Sequence, residues 1–598
     1  MLADGYYDLS IWGPATLLLL AAAVALVLAG RPPVPHLALV VLAGLIGLWA
    51  WTLLSTRWAD AASDALLAAD RWLLYAALFA LVVTGVLLVA GGARVLLVAT
   101  AASVVALEVY FVVRLLGPHP QDLFVLRRLS TPLGYTNGVA GYLLLGLWPL
   151  VAAAERVRPV GLAAPALGLA TLEACLVLLT QSRGAAIAMA ISIVVLLAVV
   201  PGRRRRAWAL LVIAAAVALA TPSLLDVYHS SHSSRPSPAA VHHAVLVALL
   251  ASTLAAIVWA IALKLTGSLT RRWSDAGLAV VGVVLVALLL GFSGRIAHEA
   301  DVQYHAFVSL KSGSGTSRLL TGSGHRYDYW RIAWKEFTDH PLVGVGGGNY
   351  PADYFRRRRT GENIRQPHSI ELQSLAEVGL VGFGFLAAFA AAIAAGLARA
   401  ARAARSSPGA RTVAVAAGGI FVVWLAQTSV DWLHLLPGLT AVALCAAATL
   451  VARFDAERRW GAPSWALTAA CLAVAALGAL TVARPTIAQH ARTEGRSALS
   501  AHPRTALRHA ERALSFDRDA PASYYLKAAA LARLGDYANA RATLLAAARR
   551  TPRNFVTWAL LGDLARRRGD TPLAGRYYAR ARALNPRVRP GSAGRSGA

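Results

Sequence analysis

Of its 598 residues only three are cysteine, and acids are scarce: 30 Asp and Glu against 58 Lys and Arg. Cys175, Cys445 and Cys471 lie far apart, each inside an apolar run. That excludes a disulfide framework and a cysteine metal site, and leaves buried small hydrophobes. Charged residues make up only 15% of the chain while 57% are hydrophobic. A soluble domain is excluded, because the apolar residues come in runs of about 20, the length that crosses a bilayer. The net charge of +28 would suggest nucleic acid in a soluble protein. Here arginines sit in short loops between apolar runs, which positive-inside topology explains, and no nucleic-acid partner is expected. No basic stretch precedes the first apolar run, so that run reads as a retained helix rather than a signal peptide.

What is present is an all-α polytopic bundle. About fourteen spanning helices are expected, at 11–29, 35–53, 72–90, 94–116, 134–154, 159–180, 185–201, 207–223, 243–265, 275–293, 372–398, 411–430, 436–452 and 464–482. Four regions follow: N-terminal membrane helices over 1–293, a long polar loop over 294–371, C-terminal membrane helices over 372–484, and a separate tail over 485–598. Arg203 to Arg206, Lys264 with Arg271 and Arg272, Arg399 to Arg411, and Arg453 to Arg459 fall in alternate connections. Those are assigned to the cytoplasm. Alternation then puts both termini, the connection 117–133, the turn 181–184, the segment 224–242 and the long loop outside, which predicts a cytoplasmic-membrane protein with an extracytoplasmic loop and tail. The histidines in 224–242 fit no standard ligand spacing and read as part of a polar linker.

The tail repeats itself. Tyr524 and Trp558, Gly535 and Gly569, Ala540 and Ala574, Ala547 and Ala581, and Pro552 and Pro586 are each 34 apart. That is the tetratricopeptide period, two antiparallel helices per unit. A degenerate unit over 487–520 carries Ala506 and Ala513 in matching places. The tail either binds a partner protein, places the substrate or packs on the membrane part.

Chemistry concentrates in and beside the long loop. In GHRYDYWRIAWKEF, Trp330, Trp334 and Phe337 share one helical face, with Arg326 and Arg331 at its flank; a helix lying on the bilayer with snorkelling arginines is the plain alternative. Gly344 to Gly348 with Asn349 either cradle phosphate on backbone N–H groups or form a flexible turn. Arg356 to Arg359 either meet solvent and anionic lipid or steer an acidic substrate. His368 precedes a spanning helix after Gln366-Pro367, and Arg183 sits between two spanning helices, where an unpaired charge is costly. Glu108 and Glu173 lie within helices and are candidates to pair with Arg114 or Arg183. Asp431 and His434 end a late helix near the same side.

These motifs, in this order, resemble the O-antigen ligase and O-antigen polymerase superfamily of membrane glycosyltransferases over about 120 to 485. The residues that carry the resemblance are Leu133-Gly-Tyr-Thr-Asn137-Gly, Thr180-Gln-Ser-Arg183-Gly184, Arg326-x-x-x-Trp330, His340-Pro-Leu-Val-Gly344-Val-Gly346, and His368-Ser-x-x-Leu372-Gln373-x-x-x-Glu377-x-Gly379. Ser369 stands where many members have asparagine. The resemblance implies transfer of a glycan from a polyprenyl-diphosphate donor to a sugar or protein hydroxyl acceptor at the membrane lipid surface. It implies no metal and no cofactor, and the outer loops hold no Asp-x-Asp pair. Arg183 and Arg326 become the catalytic cations, since a guanidinium binds phosphate oxygens in a fork and keeps its charge. His368 becomes the base that takes the acceptor proton. Arg128, Asn137, Arg331, Glu377 and His434 are the expected substrate-binding side chains. Glu377 either suits its helix N-terminus or orients His368. The competing classes are a transporter or flippase for polyprenyl-linked or anionic solutes, and a scaffold anchored by the membrane part. Three candidate groups on one side disfavour the transporter.

Overall fold

The computed structural model describes residues 7–29, 34–156, 159–229, 235–265, 276–280, 282–283, 287, 290–310, 324–454 and 465–588. Most of them are helical; one hairpin pairs Phe124–Val125 with Arg128–Leu129. Eleven of the described helices are long and apolar enough to cross a membrane, and Arg183–Val199 and Pro437–Arg453 are shorter apolar helices. The chain is a multi-pass membrane protein with an all-α bundle. Part of the span expected over 275–293 lies outside the described residues, as do Arg271, Arg272, His232 and 455–464.

The helices are α1 (Leu9–Leu28), α2 (His36–Leu54), α3 (Ala62–Leu88), α4 (Gly92–Leu115), α5 (Thr136–Ala154), α6 (Val160–Leu179), α7 (Arg183–Val199), α8 (Arg203–His229) and α9 (Pro238–Leu265). The loop carries α10 (Ser293–Ser309), α11 (Arg326–Asp339) and α12 (Tyr350–Arg357). Then follow α13 (Ile370–Ala403), α14 (Pro408–Thr428), α15 (Pro437–Arg453) and α16 (Trp465–Ala498). The tail is α17 (Pro503–Phe516), α18 (Pro521–Arg533), α19 (Tyr537–Arg550), α20 (Phe555–Arg567) and α21 (Thr571–Leu584). The most deeply buried spans are α5, α6 and α14. Around them α2 packs on α13, α8 and α9 on α6, and α15 on α3, while α1 and α16 pair at the edge.

The two ends of the bundle differ chemically. At one end Arg206 is fully buried: its Nε donates to Glu155 Oε1 at 2.6 Å and its Nη1 to Leu196 O at 2.7 Å and Val200 O at 3.1 Å. It therefore caps the last carbonyls of α7. Arg205 reaches Glu155 O at 2.9 Å, and Arg411 lies against Gly202. Arg183 begins α7, so it is at the other end, about 25 Å away along a helix of this length.

At that other end α13 is interrupted. Gly379 has φ 66°, and the backbone groups released there pair with the glycine loop. Val345 N donates to Ala376 O at 2.9 Å, Gly346 N to Glu377 O at 2.8 Å and Leu380 N to Pro341 O at 2.8 Å. A broken helix at membrane depth needs such partners, because no water satisfies it. A Cβ at Gly344 would lie 2.3 Å from Glu377 C, and one at Gly379 2.3 Å from Leu342 O. Both glycines are thus fixed by backbone meeting backbone. The glycine run is neither a phosphate cradle nor a slack turn: Gly347 N donates to Ser55 Oγ at 3.0 Å and Gly348 N to Glu377 Oε2 at 2.9 Å.

The aromatic side of α11 also differs from expectation. Its buried face is Tyr329, Ile332, Ala333 and Glu336, while Trp334 is 53% exposed and its ring lies tilted against that of Phe337. Trp330 meets Phe307 of α10. Periodicity located the stripe but not the side that is covered, because the covered side includes buried Asp328 and Glu336.

In the tail, α18 and α20 begin 34 residues apart, as do α19 and α21. One helix, α16, runs through the expected boundary at 484/485 and packs on α17. The tail docks on the loop: Arg553 Nη2 meets Asp353 Oδ2 at 2.9 Å, Phe355 and Phe555 rings are 4.9 Å apart, and Arg358 Nη2 donates to Asn585 Oδ1 at 3.0 Å. The basic run is therefore used inside the protein. Arg356 and Arg357 pair with Asp353, and Arg587 donates to Arg359 O at 2.5 Å.

Candidate functional site

The site is assembled around Asp431, a wholly buried carboxylate in the connection from α14 to α15. Oδ1 accepts from Tyr135 OH at 2.5 Å and from its neighbour's amide, Trp432 N, at 2.8 Å. Oδ2 accepts from Asn137 Nδ2 at 2.6 Å and from Arg326 Nη2 at 2.9 Å. A carboxylate out of water needs this many donors to stay charged. The Arg326 side chain is 21% exposed, so part of its fork still faces outward.

Asn137 extends the network. Its Oδ1 accepts from Arg128 Nη2 at 3.1 Å, and Arg128 Nε donates to Thr180 O at 2.9 Å. Thr180 ends α6, Gln181 takes a left-handed φ of 50°, and Ser182 caps α7 by accepting from Ala185 N at 3.3 Å. This tight turn puts Arg183 on the first residue of α7. Its Nη2 lies 3.0 Å from where a Cβ on Gly324 would be, two residues before Arg326. Arg128, Asn137, Arg183 and Arg326 are thus brought to one end of the bundle by four different segments.

His368 stands beside them with φ 58°, a conformation that costs a non-glycine residue about 1–3 kcal/mol. Its ring lies 5.3 Å from that of Tyr329, one turn after Arg326. Nδ1 is 3.0 Å from Gln366 O. A carbonyl only accepts, so Nδ1 carries the hydrogen and the neutral ring keeps its lone pair on Nε2. Burial lowers the imidazole pKa below its ordinary value; the Asp431 carboxylate pulls it up and the Arg326 guanidinium pushes it down. Ser369 caps α13, accepting from Leu372 N at 3.3 Å, a role serine and asparagine share. It also donates to Glu371, which accepts from Ser429 at 2.6 Å.

Three expected residues stand outside the Asp431 network. Arg331 turns to α12, donating to Asp328 Oδ1 at 2.8 Å and Arg357 O at 3.0 Å. Glu377 takes the Gly348 amide and Gln373 Nε2, at 3.2 Å, instead of orienting His368. His434 is buried behind the site, with Nδ1 3.0 Å from Thr428 Oγ1 and Nε2 3.1 Å from Gln373 Oε1. Burial, reinforced by Arg71 and His368, pushes its pKa down to about 3. Glu108 and Glu173 lie beside each other inside the bundle rather than against Arg114 or Arg183.

Tyr135 and the hub role of Asp431 were not among the expected site residues. Tyr135 stands within the Leu133–Gly138 motif, and an acid at the end of an apolar helix was the available signal.

Residues 238–387 match the family model described as O-Antigen ligase. The matched stretch includes Arg326 and His368; Arg128, Asn137, Arg183 and Asp431 lie outside it. No curated protein matches the chain. Over that stretch the chain is similar to O-antigen ligases, which supports a membrane glycosyltransferase-like enzyme acting on lipid-linked glycan in general.

Proposed function

We propose that the protein transfers a glycan from a polyprenyl-diphosphate carrier to a sugar or protein hydroxyl on the outer face of the cytoplasmic membrane, without a metal. The observation that carries this reading is the Arg326–Asp431 pair, set beside a His368 whose Nε2 keeps its lone pair. The acceptor oxygen attacks the anomeric carbon of the donor sugar, and its proton passes to His368 Nε2. The bond from that carbon to the diphosphate oxygen breaks, and the electron pair leaves with the diphosphate. Arg326 and Arg183 meet the growing negative charge there, a stabilisation typically worth 10²–10³ in rate per donor. Asp431 aims the Arg326 fork, and Asn137, itself held by Arg128, holds Asp431 in place.

The 34-residue units form a tetratricopeptide-like domain in this reading, on the same side as the loop it touches, available to a protein partner. The test is transfer by the full-length protein with Arg183→Ala, Arg326→Ala or His368→Ala. Each is expected to lose at least about a hundredfold in rate while the protein stays in the membrane. Wild-type transfer by all three would end the assignment. In a deletion strain, short unpolymerised surface glycans point to a polymerase and complete carrier-bound chains to a ligase.

A further inference from the structure

A cavity of about 130 Å³ lies between α2, α3, the glycine loop and the entry of α13. Four side chains in its wall, each at least nine-tenths buried, hold polar atoms without a hydrogen-bond partner among the described residues: Thr52 Oγ1, Arg71 Nε, Ser374 Oγ and Glu377 Oε1. Buried polar atoms are rarely left so, and four around one space indicate something that fills it. Together they offer a cationic donor, two hydroxyls and a carboxylate acceptor. The rings of Tyr7 and Trp72 are in the same wall.

This chemistry selects against an anion. Two guanidinium residues, Arg71 and Arg365, are balanced by two carboxyl residues, Asp64 and Glu377, all lining the space. A phosphate would meet both acids. A neutral polyol can donate to carboxylates, accept from guanidinium, exchange bonds with hydroxyls and lay its C–H face on an aromatic ring. The volume holds about four waters or one sugar ring. Gln366 is also in the wall, and its carbonyl accepts from His368 Nδ1 at 3.0 Å, so the space adjoins the proposed base.

We propose that this cavity is a subsite for one neutral sugar ring of the glycan, gripped by Thr52, Arg71, Ser374 and Glu377. The inference rests on the glycan transfer proposed above. The ring belongs either to the acceptor or to the donor's first sugars, and kinetics distinguish the two.

The test uses full-length protein in liposomes with lipid-linked glycan and acceptor extracted from a strain lacking it. Thr52→Val keeps the shape and removes the hydroxyl; it should raise KM for one substrate three- to tenfold with kcat within twofold. A shift for the acceptor assigns the ring to the acceptor, and a shift for the donor assigns it to the donor. Ser374→Phe fills the space and should abolish transfer without lowering the melting temperature; where it fails to fold, Thr52→Val decides alone. Unchanged KM for both substrates in Thr52→Val, or full transfer by Ser374→Phe, overturns the subsite. If the Arg326→Ala and His368→Ala variants lose activity while these do not, only the subsite fails. If Arg326→Ala and His368→Ala stay active, the transfer reading fails first.

Discussion

Arg326 donates to Asp431 at 2.9 Å across 105 residues of sequence, joining the polar loop to the turn between two late helices. Replacing Asp431 with Asn leaves the guanidinium half-sheltered and without its counter-charge. Breaking a fully buried pair typically costs 3–5 kcal/mol; Arg326 keeps some exposure, so about 2 kcal/mol of stability should be lost. Thermal unfolding in detergent measures that loss, and transfer should fall at least tenfold. An Arg326→Lys variant keeps the charge and should also be poor, because the two-pronged donor is gone.

His368 gives a pH signature. As a base it works only when neutral, and its pKa is held below the ordinary imidazole range. The acid limb of kcat/KM should therefore lie below pH 6.5, with a plateau above it. Asp431 raises that pKa, so Asp431→Asn should move the limb further toward acid in whatever activity remains. An acid limb at or above pH 6.5, or one that does not move in the variant, would remove His368 from the base role.

His434 predicts a stability slope. Its folded pKa is near 3 against an ordinary value of 6.5, so the unfolded chain binds the proton first as pH falls. Stability is complete above pH 6.5 and should decline by about 1.4 kcal/mol per unit from there toward pH 3. Unfolding of wild type and His434→Gln across this range checks it; the variant should be less stable at neutral pH and flatter below it.

The glycine loop offers a contrast. Gly344→Ala should prevent accumulation in the membrane, because the new methyl would sit 2.3 Å from the Glu377 backbone at a φ of 67°. Gly361→Ala, where nothing lies within 4 Å, should accumulate as wild type. Western blots of membrane fractions distinguish them.

The docking of the tail on the loop is measurable through Arg553 and Asp353. The arginine side chain is 37% exposed, so a double-mutant cycle should return a coupling of about 1 kcal/mol rather than more.

Much of the fold was legible because it is written locally: apolar runs mark the spans, and the 34-residue recurrence of alanine, glycine and proline reappears in the starts of α18 and α20. The glycine run was misread because its partner is the break at Gly379, which nothing in a local window announces. Asp431 was named without its role because Tyr135, Asn137 and Arg326 reach it from 296, 294 and 105 residues away. Arg331 looked like a companion of Arg326, yet five positions along a helix turn a side chain well away, and it faces α12.

The uninterrupted α16 leaves no slack between bilayer and tail. The same helix packs on α1 and on α17, with Pro485 inside it, and so ties the bundle to the tail. The tail it carries reaches the loop through Arg553 and Asp353, so outer span, repeat units and arginine-bearing loop are joined into one connected body.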